Sequence, residues 1–290
     1  MEAIKAYYAK LNNMGDLLSE YLIPYCTGKS VEHCENVANF QIMGVGSCGG
    51  AIWGGKEVGL KEKIKDSIKS GLCKTTSAPC AVWGTGFLKD YYPSRLTLLR
   101  KNVSFIAVRG ALSQRIIENS LGKKINPVLC DGGILSAELL SDIPQKKYSV
   151  GFIPHYNEQK LVAENGLLKA MSAKYGNMTV INLREDPLTV IKHIGECEII
   201  LSTSLHGCVV ADSFGIPNMR VTISQIPGTG FKFDDYYSGY GLEIPGLKLS
   251  AEMKLPELRG IVDNYKISHD MVEEKKEGMR QALVDFVKCL

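Results

Sequence analysis

The sequence has no run of 18 apolar residues, no C-x-x-C pair and little excess of charge of either sign. The first absence removes a membrane-spanning helix, which needs roughly 20 apolar residues in succession. The opening MEAIKAYYAK also lacks an apolar signal core, so the expectation is a cytoplasmic protein in a reducing compartment. The second absence removes the usual spacing of zinc and redox sites. The nine cysteines are scattered, and those in apolar runs, such as Cys130 and Cys208, read as small core residues. A net charge of +3, with no basic stripe interleaved with aromatics, argues against a nucleic-acid binder. Lysines at 61–65 and 275–276 are mixed with or flanked by Glu and read as solvated helix faces. No internal repeat or low-complexity tract is visible.

What is present is ample apolar material: 45% hydrophobic and 22% charged residues in a chain of 290. That is enough for a full core, in two domains of moderate size or one large one. The organising stretch is IILSTSLHGCVVADSFGIPNMRV, residues 199–221. Ile199 to Leu201 suits a buried parallel strand, Ser202-Thr203-Ser204 a polar turn, and the segment carrying Leu205 and His206 a helix stopped at Gly215 and Pro217. A second strand follows at 218–221. In such βαβ arrays ligands gather at strand carboxyl ends, facing helix N-termini whose free amides receive anions. Ser202, Thr203, Ser204 and His206 stand there as a candidate anion site. Alternatively, the hydroxyls only cap the helix and His206 is a satisfied core residue.

The same rhythm runs through the rest. Residues 4–9 read as a first strand, followed by a turn with Asn13, Gly15 and Asp16 and then a helix; Asp16 is either its cap or part of a ligand cleft. Residues 40–45 form a second expected strand opening into GVGSCGGAIWGG. There Gly44, Gly46 and Gly49 match G-x-G-x-x-G, but the loop does not follow the first strand and no ribose-binding acid stands about 20 residues on. It reads as a Gly-rich ligand loop, without NAD. Expected strands at 81–83, 104–108 and 127–130 lead to Gly84-Thr85-Gly86 with an aromatic segment up to Tyr92, to Arg109-Gly110 with a helix at 111–121, and to Asp131. A buried Arg109 meets either an anionic ligand or an internal acid such as Asp131. Residues 141–147 turn polar and form the candidate linker. Beyond it lie a strand at 148–153 ending in Pro154-His155-Tyr156, a helix at 157–175, a strand at 178–182, and Arg184 and Asp186 before a further helix. Residues 227–241, with Lys232, Asp234 and Asp235, read as a loop over the cleft or a surface turn; helices at 251–265 and 268–287 close the chain.

In order, Asn13-Met14-Gly15-Asp16, Gly44-Val45-Gly46-Ser47, Gly84-Thr85-Gly86, Arg109-Gly110 with Leu112-Ser113, Asp131, Pro154-His155-Tyr156 and the S-x-S-L-H-G core resemble the motifs of the polysaccharide pyruvyl transferase family. The resemblance runs nearly the whole length. It implies an α/β fold of two Rossmann-like domains facing across a cleft, similar to GT-B glycosyltransferases. Residues 1–145 would form the acceptor side, and 146–290, with its closing helices, the donor side.

It also implies transfer of the pyruvyl group of phosphoenolpyruvate to a sugar as a ketal, with phosphate released. Many members carry Arg where this chain has Ser204; Arg109, Arg184 or Lys232 could supply that charge. The implied substrate-binding set is Asn13, Gly15, Gly44, Gly46, Ser47, Gly84, Thr85, Gly86, Ser202, Thr203, Ser204, Leu205 and Lys232. Among catalytic candidates, His206 or His155, with a near-neutral pKa, would be the acid, Asp16 or Asp131 the base, and Arg109 the stabiliser of departing phosphate. No metal or cofactor is expected beyond phosphoenolpyruvate as co-substrate. The acceptor would be a sugar or lipid-linked oligosaccharide, with peripheral membrane contact through it; oligomeric state is open. A glycosyltransferase using a nucleotide-sugar and an idle sugar-binding homologue remain as alternatives.

Overall fold

The computed structural model describes residues 2–11, 13–53, 78–90, 93, 95, 98–100, 102–225 and 229–290. The expectations about lysines 61–65, Gly55, Cys73, Tyr92 and Pro227 lie outside the described residues.

The chain is a mixed α/β protein built on two five-stranded parallel sheets, consistent with a Rossmann-like arrangement. In the first half, β1 (Ile4–Tyr7) leads through α1 (Met14–Leu17) and α2 (Ser19–Thr27) to β2 (Val31–His33) and β3 (Ile42–Met43). Then come β4 (Cys80–Val82), β5 (Val103–Phe105), β6 (Ala107–Val108), α3 (Ala111–Leu121) and β7 (Val128–Leu129). The first sheet has the order β2-β1-β3-β4-β5, with β6 and β7 paired separately. The single strand expected at 104–108 is therefore two. Ile106 donates to Val82 O while its own carbonyl accepts from Val128, so the strand changes neighbours there. The edge strand β2 gave no sequence signal, since three residues are too few to show alternation.

The second half carries β8 (Tyr148–Ile153), α4 (Gln159–Glu164), α5 (Leu167–Tyr175), β9 (Met178–Val180), α6 (Pro187–Gly195), β10 (Cys197–Ser202), α7 (Leu205–Ser213) and β11 (Asn218–Thr222). After these come α8 (Thr229–Ser238), β12 (Leu247–Lys248), α9 (Leu258–Asn264) and α10 (His269–Lys288). The sheet order is β12-β11-β10-β8-β9. Central β10 is buried at every position but Glu198, as a strand covered on both faces must be. The helix expected at 157–175 is broken by Gly166, whose φ of 74° no continuing helix allows. Asp186 accepts from the amide of Thr189 and Pro187 begins α6, a start with cap and proline both in place.

One expectation is corrected outright: residues 229–238 form a helix, not a loop or surface turn. TGFKFDDYYS is a poor intrinsic helix, rich in aromatic and acidic residues, and tertiary packing makes it one. Phe233, Tyr236 and Tyr237 are buried, and Asp235 faces the first sheet. The last helix crosses back as well: Trp83 Nε1 donates to Met279 O at 2.9 Å, and Arg280 pairs with Glu138 at 2.7 Å. The largest apolar cluster accordingly joins Ile4 and Trp83 to Ile153, Ile200 and Met279. Among the described residues no helix is long and apolar enough to cross a membrane, and the eight described cysteines are free.

Candidate active site

Seven strand ends deliver the candidate residues. Asn13, Gly15 and Asp16 follow β1; Gly46 and Ser47 follow β3; Gly84, Thr85 and Gly86 follow β4; Arg109 follows β6; and Asp131 follows β7. His155 follows β8, and Ser202, Thr203, Ser204 and His206 sit at the end of β10 and the start of α7. The two groups meet. Met14 N donates to Leu183 O at 2.7 Å, and a Cβ on Gly15 would overlap the His206 imidazole. Gly15 therefore lets the β1 loop lie against the His206 ring. The other glycines serve the same close packing. Gly44 abuts Ser19, Gly84 abuts Gly132, and Gly86 abuts Arg109 and Asp235. Thr85 Oγ1 stitches the two Gly-rich turns, donating to Gly46 O and accepting from Cys48 N, each at 3.0 Å.

At the centre, His206 Nε2 lies 3.9 Å from Asp131 Oδ2. Both atoms are buried, and neither finds a hydrogen-bond partner among the described residues; Asn13 Oδ1 is in the same condition. Native proteins rarely leave buried polar atoms unmatched, so a cluster of them marks a place that a ligand or ordered water completes. Their 3.9 Å separation is one that a single bridging oxygen spans at hydrogen-bond distance from each. Asp131 Oδ1 is already used, accepting from Gly133 N at 2.9 Å. The charge of Lys232, carried in by α8, acts on Asp16, His155 and His206. That helix was not legible in the sequence, although Lys232 itself was a candidate.

The protonation pattern reverses the expected roles. Burial, then the charges of Lys232 and Arg109, push His206 down to about 3, and burial with Lys232 lowers His155. His206 is therefore not the near-neutral acid that was expected, and His155 is displaced in the same direction. Burial raises Asp131 to about 7 against the opposing charge of Arg109, and raises Asp16 to about 6 against Asn13 and Lys232. A neutral histidine thus faces a carboxyl that holds its proton near neutral pH.

Asp131 also makes a stability prediction. Its folded value lies above the ordinary 3.8. Between those limits the folded protein keeps a proton that the unfolded chain has lost, so this group makes stability fall as pH rises toward about 7. Asp131→Asn retains the acceptor for Gly133 N and removes the buried charge. The variant is expected to melt above wild type, and by clearly more at pH 8 than at pH 5; thermal unfolding at the two pH values checks this, and an equal difference at both would contradict it.

Arg109 is corrected too. Its guanidinium is fully buried and committed to the protein: Nε pairs with Asp235 Oδ2 at 2.9 Å, Nη1 donates to Ser47 Oγ at 3.0 Å, and Nη2 donates to Phe87 O. The internal acid is Asp235, not Asp131, and Asp235 also accepts from Ser113 N and Oγ at 2.8 and 2.6 Å. Arg109 reaches the site through its field. The hydroxyls divide similarly. Ser202 Oγ closes its own turn, donating to Ser204 O at 2.8 Å and accepting from Ser204 N at 3.0 Å. Thr203 Oγ1 accepts from His155 N at 2.6 Å and donates to Glu158. Ser204, at the N-cap of α7, makes no side-chain cap bond, and Leu205 is buried in the core. Asp235 and Glu158 are the residues that sequence reasoning left without a role. A buried acid in a segment read as loop, and one beginning a helix, carry no local signal.

The chain is 31% identical over 116 residues to the succinoglycan biosynthesis protein ExoV of Rhizobium meliloti (strain 1021), covering 38% of this chain and 35% of that protein. It is 33% identical over 107 residues to the uncharacterized protein L143 of Acanthamoeba polyphaga mimivirus, covering 34% of each. These alignments span about a third of the length of the curated relatives. No solved structure matches significantly. The family model for polysaccharide pyruvyl transferase matches residues 13–225, from the Asn13 loop through the end of β11, and so takes in every strand end that builds the site: the chain belongs to the polysaccharide pyruvyl transferase family.

Proposed function

We propose that the protein transfers the pyruvyl group of phosphoenolpyruvate to two hydroxyls of a sugar, in a surface polysaccharide or its precursor, forming a ketal and releasing phosphate. The observation that carries this reading is the buried, unpartnered pair His206 Nε2 and Asp131 Oδ2, in the field of Lys232. Lys232 supplies positive charge for the donor's carboxylate and phosphate, where Ser204 stands in place of an arginine. The α7 N-terminus adds amide donors.

In the proposed course, Asp131 gives its proton to the donor's methylene carbon, and the adjacent carbon takes on oxocarbenium character. One sugar hydroxyl adds there and passes its proton to neutral His206. The second hydroxyl then displaces phosphate, which leaves with the remaining proton. The sum is one donor plus one diol giving one ketal plus one phosphate. We assign residues 1–145 to the acceptor side and 146–290 to the donor side of a GT-B-like pair. We place the enzyme in the cytoplasm, meeting a membrane only through a lipid-linked acceptor.

Ligand-induced stabilisation tests the donor, since a ligand at 100 times its dissociation constant stabilises by about 2.7 kcal/mol. Millimolar phosphoenolpyruvate is expected to raise the melting temperature of wild type and not of Lys232→Met. A shift with a UDP-sugar in place of phosphoenolpyruvate would overturn pyruvyl transfer in favour of glycosyl transfer. No shift with either would favour an idle homologue.

A further inference from the structure

Glu158 stands where the chain enters α4, 2% exposed, and has no part in the chemistry above. Glu158 gathers the carboxyl ends of three adjacent strands, two through its carboxylate and one through its backbone amide. One oxygen accepts from Thr203 Oγ1 after β10; the other accepts from Ser224 N at 3.1 Å and Ser224 Oγ at 2.7 Å after β11. Its own amide donates to His155 O at 2.7 Å after β8. Thr203 Oγ1 in turn accepts from His155 N at 2.6 Å, so the His155 backbone is held from both sides of its residue. The His155 ring is fixed as well: Asn157 N donates to Nδ1 at 3.3 Å, and the ring packs tilted against Tyr156 with centroids 4.3 Å apart. With Nδ1 accepting, the neutral ring carries its proton on Nε2.

We propose that Glu158 is a positioning residue of the active site, a buried carboxylate that locks three strand ends so that His155 presents an Nε2 proton to the anionic donor. This rests on the donor reading above. All three contacts donate to the carboxylate, one oxygen taking Thr203 Oγ1 and the other both Ser224 groups, an acceptor pattern that a neutral amide, with a donor in place of one oxygen, does not reproduce; three donors without a cation are still a costly way to bury a charge. The charge has a second use. The groups acting on His155 are Lys232 from α8, which disfavours its protonation, and Glu158 from its own loop, which favours it; Tyr156 and Thr203 contribute neutral contacts. Glu158 therefore offsets the field of Lys232 at this imidazole. The hold on Ser224 also restrains the chain a few residues before α8, the helix that carries Lys232.

The test compares wild type, Glu158→Gln and Glu158→Ala by histidine NMR titration of the ligand-free protein, alongside phosphoenolpyruvate binding by calorimetry. Glu158→Gln is nearly isosteric: its amide oxygen keeps the Ser224 contacts, its amide nitrogen cannot accept from Thr203 Oγ1, and the charge is removed. It is expected to lower the His155 titration midpoint by about half a pH unit or more while leaving the Nε2–H tautomer in place. Glu158→Ala is expected to disturb the tautomer as well and to weaken donor binding at least about tenfold. A loss of melting temperature alone, with His155 titrating as in wild type in the Gln variant, would overturn the proposal and leave Glu158 as a structural tie. Because the titration needs no ligand, failure of wild type to bind phosphoenolpyruvate would sink the donor reading and leave the Glu158 result standing.

Discussion

Replacing His206 by glutamine is expected to lower the rate of phosphate release from phosphoenolpyruvate, with a glycan acceptor present, by about 10²–10⁴-fold, the usual worth of a positioned acid or base. The melting temperature should stay near that of wild type, because a neutral ring is exchanged for a neutral amide of similar reach. The argument is electrostatic. His206 sits at about 3, beneath burial and the charges of Lys232 and Arg109, so in the free protein it is a base without a proton. A donor bearing carboxylate and phosphate would cancel part of that positive field and raise the ring's proton affinity when the acceptor hydroxyl must lose a proton. The pH profile distinguishes this from the acid role first expected of the histidine. With Asp131 as the acid, kcat/KM should fall as pH rises through about 7, where that carboxyl loses its proton, and no limb should reflect an ordinary histidine near 6.5. A rate within tenfold of wild type, or a descending limb that survives in Asp131→Asn, would defeat the assignment.

The second large effect falls on stability. Arg109→Ala leaves Asp235 buried without its counter-charge and strips partners from Ser47 and Phe87 O. Breaking one side of a fully buried pair costs about 3–5 kcal/mol, a large share of what holds a typical domain together. Denaturant unfolding should show that loss. The double variant Arg109→Met with Asp235→Asn should recover part of it, since the orphaned charge is gone and the amide oxygen still receives Ser113 N. A single-variant loss below about 1 kcal/mol would mean the pair carries little. The consequence for function is indirect: this pair joins α8 to the first sheet, and α8 brings Lys232 to His206.

Much of the second half was legible because its central strands β8 and β10 are mostly buried and its helix ends are chemically marked. Residues 148–153 and 199–201 were readable as largely apolar strands, 218–221 as the short strand after Gly215 and Pro217, and α6 by the Asp186 before it. The first half was harder. Its strands are two to four residues long, β2 shows no alternation, and the switch at Ile106 depends on which neighbour offers a hydrogen bond. Helix α8 was hidden for a related reason: its residues do not favour a helix, and only contact with Arg109, Ser113 and the Asp212–Tyr236 hydrogen bond makes them one.

The sequence by itself determined the α/β alternation, the strand-end placement of Asn13, Asp16, Arg109, Asp131, His155 and His206, and the family. The first two follow from local spacing of apolar residues, glycines and caps, which act over a few residues of chain; the family follows from the ordered set of motifs between Asn13 and Pro217. Only the tertiary structure decided what those groups do. It gave Arg109 to Asp235, tied Glu158 to Thr203 and Ser224, and set Lys232 near His206. By burying charge it lowered the histidines and raised the aspartates. Charge and solvent exclusion act through space, and the residues that set the protonation of His206 lie about a hundred positions or a folded helix away from it along the chain.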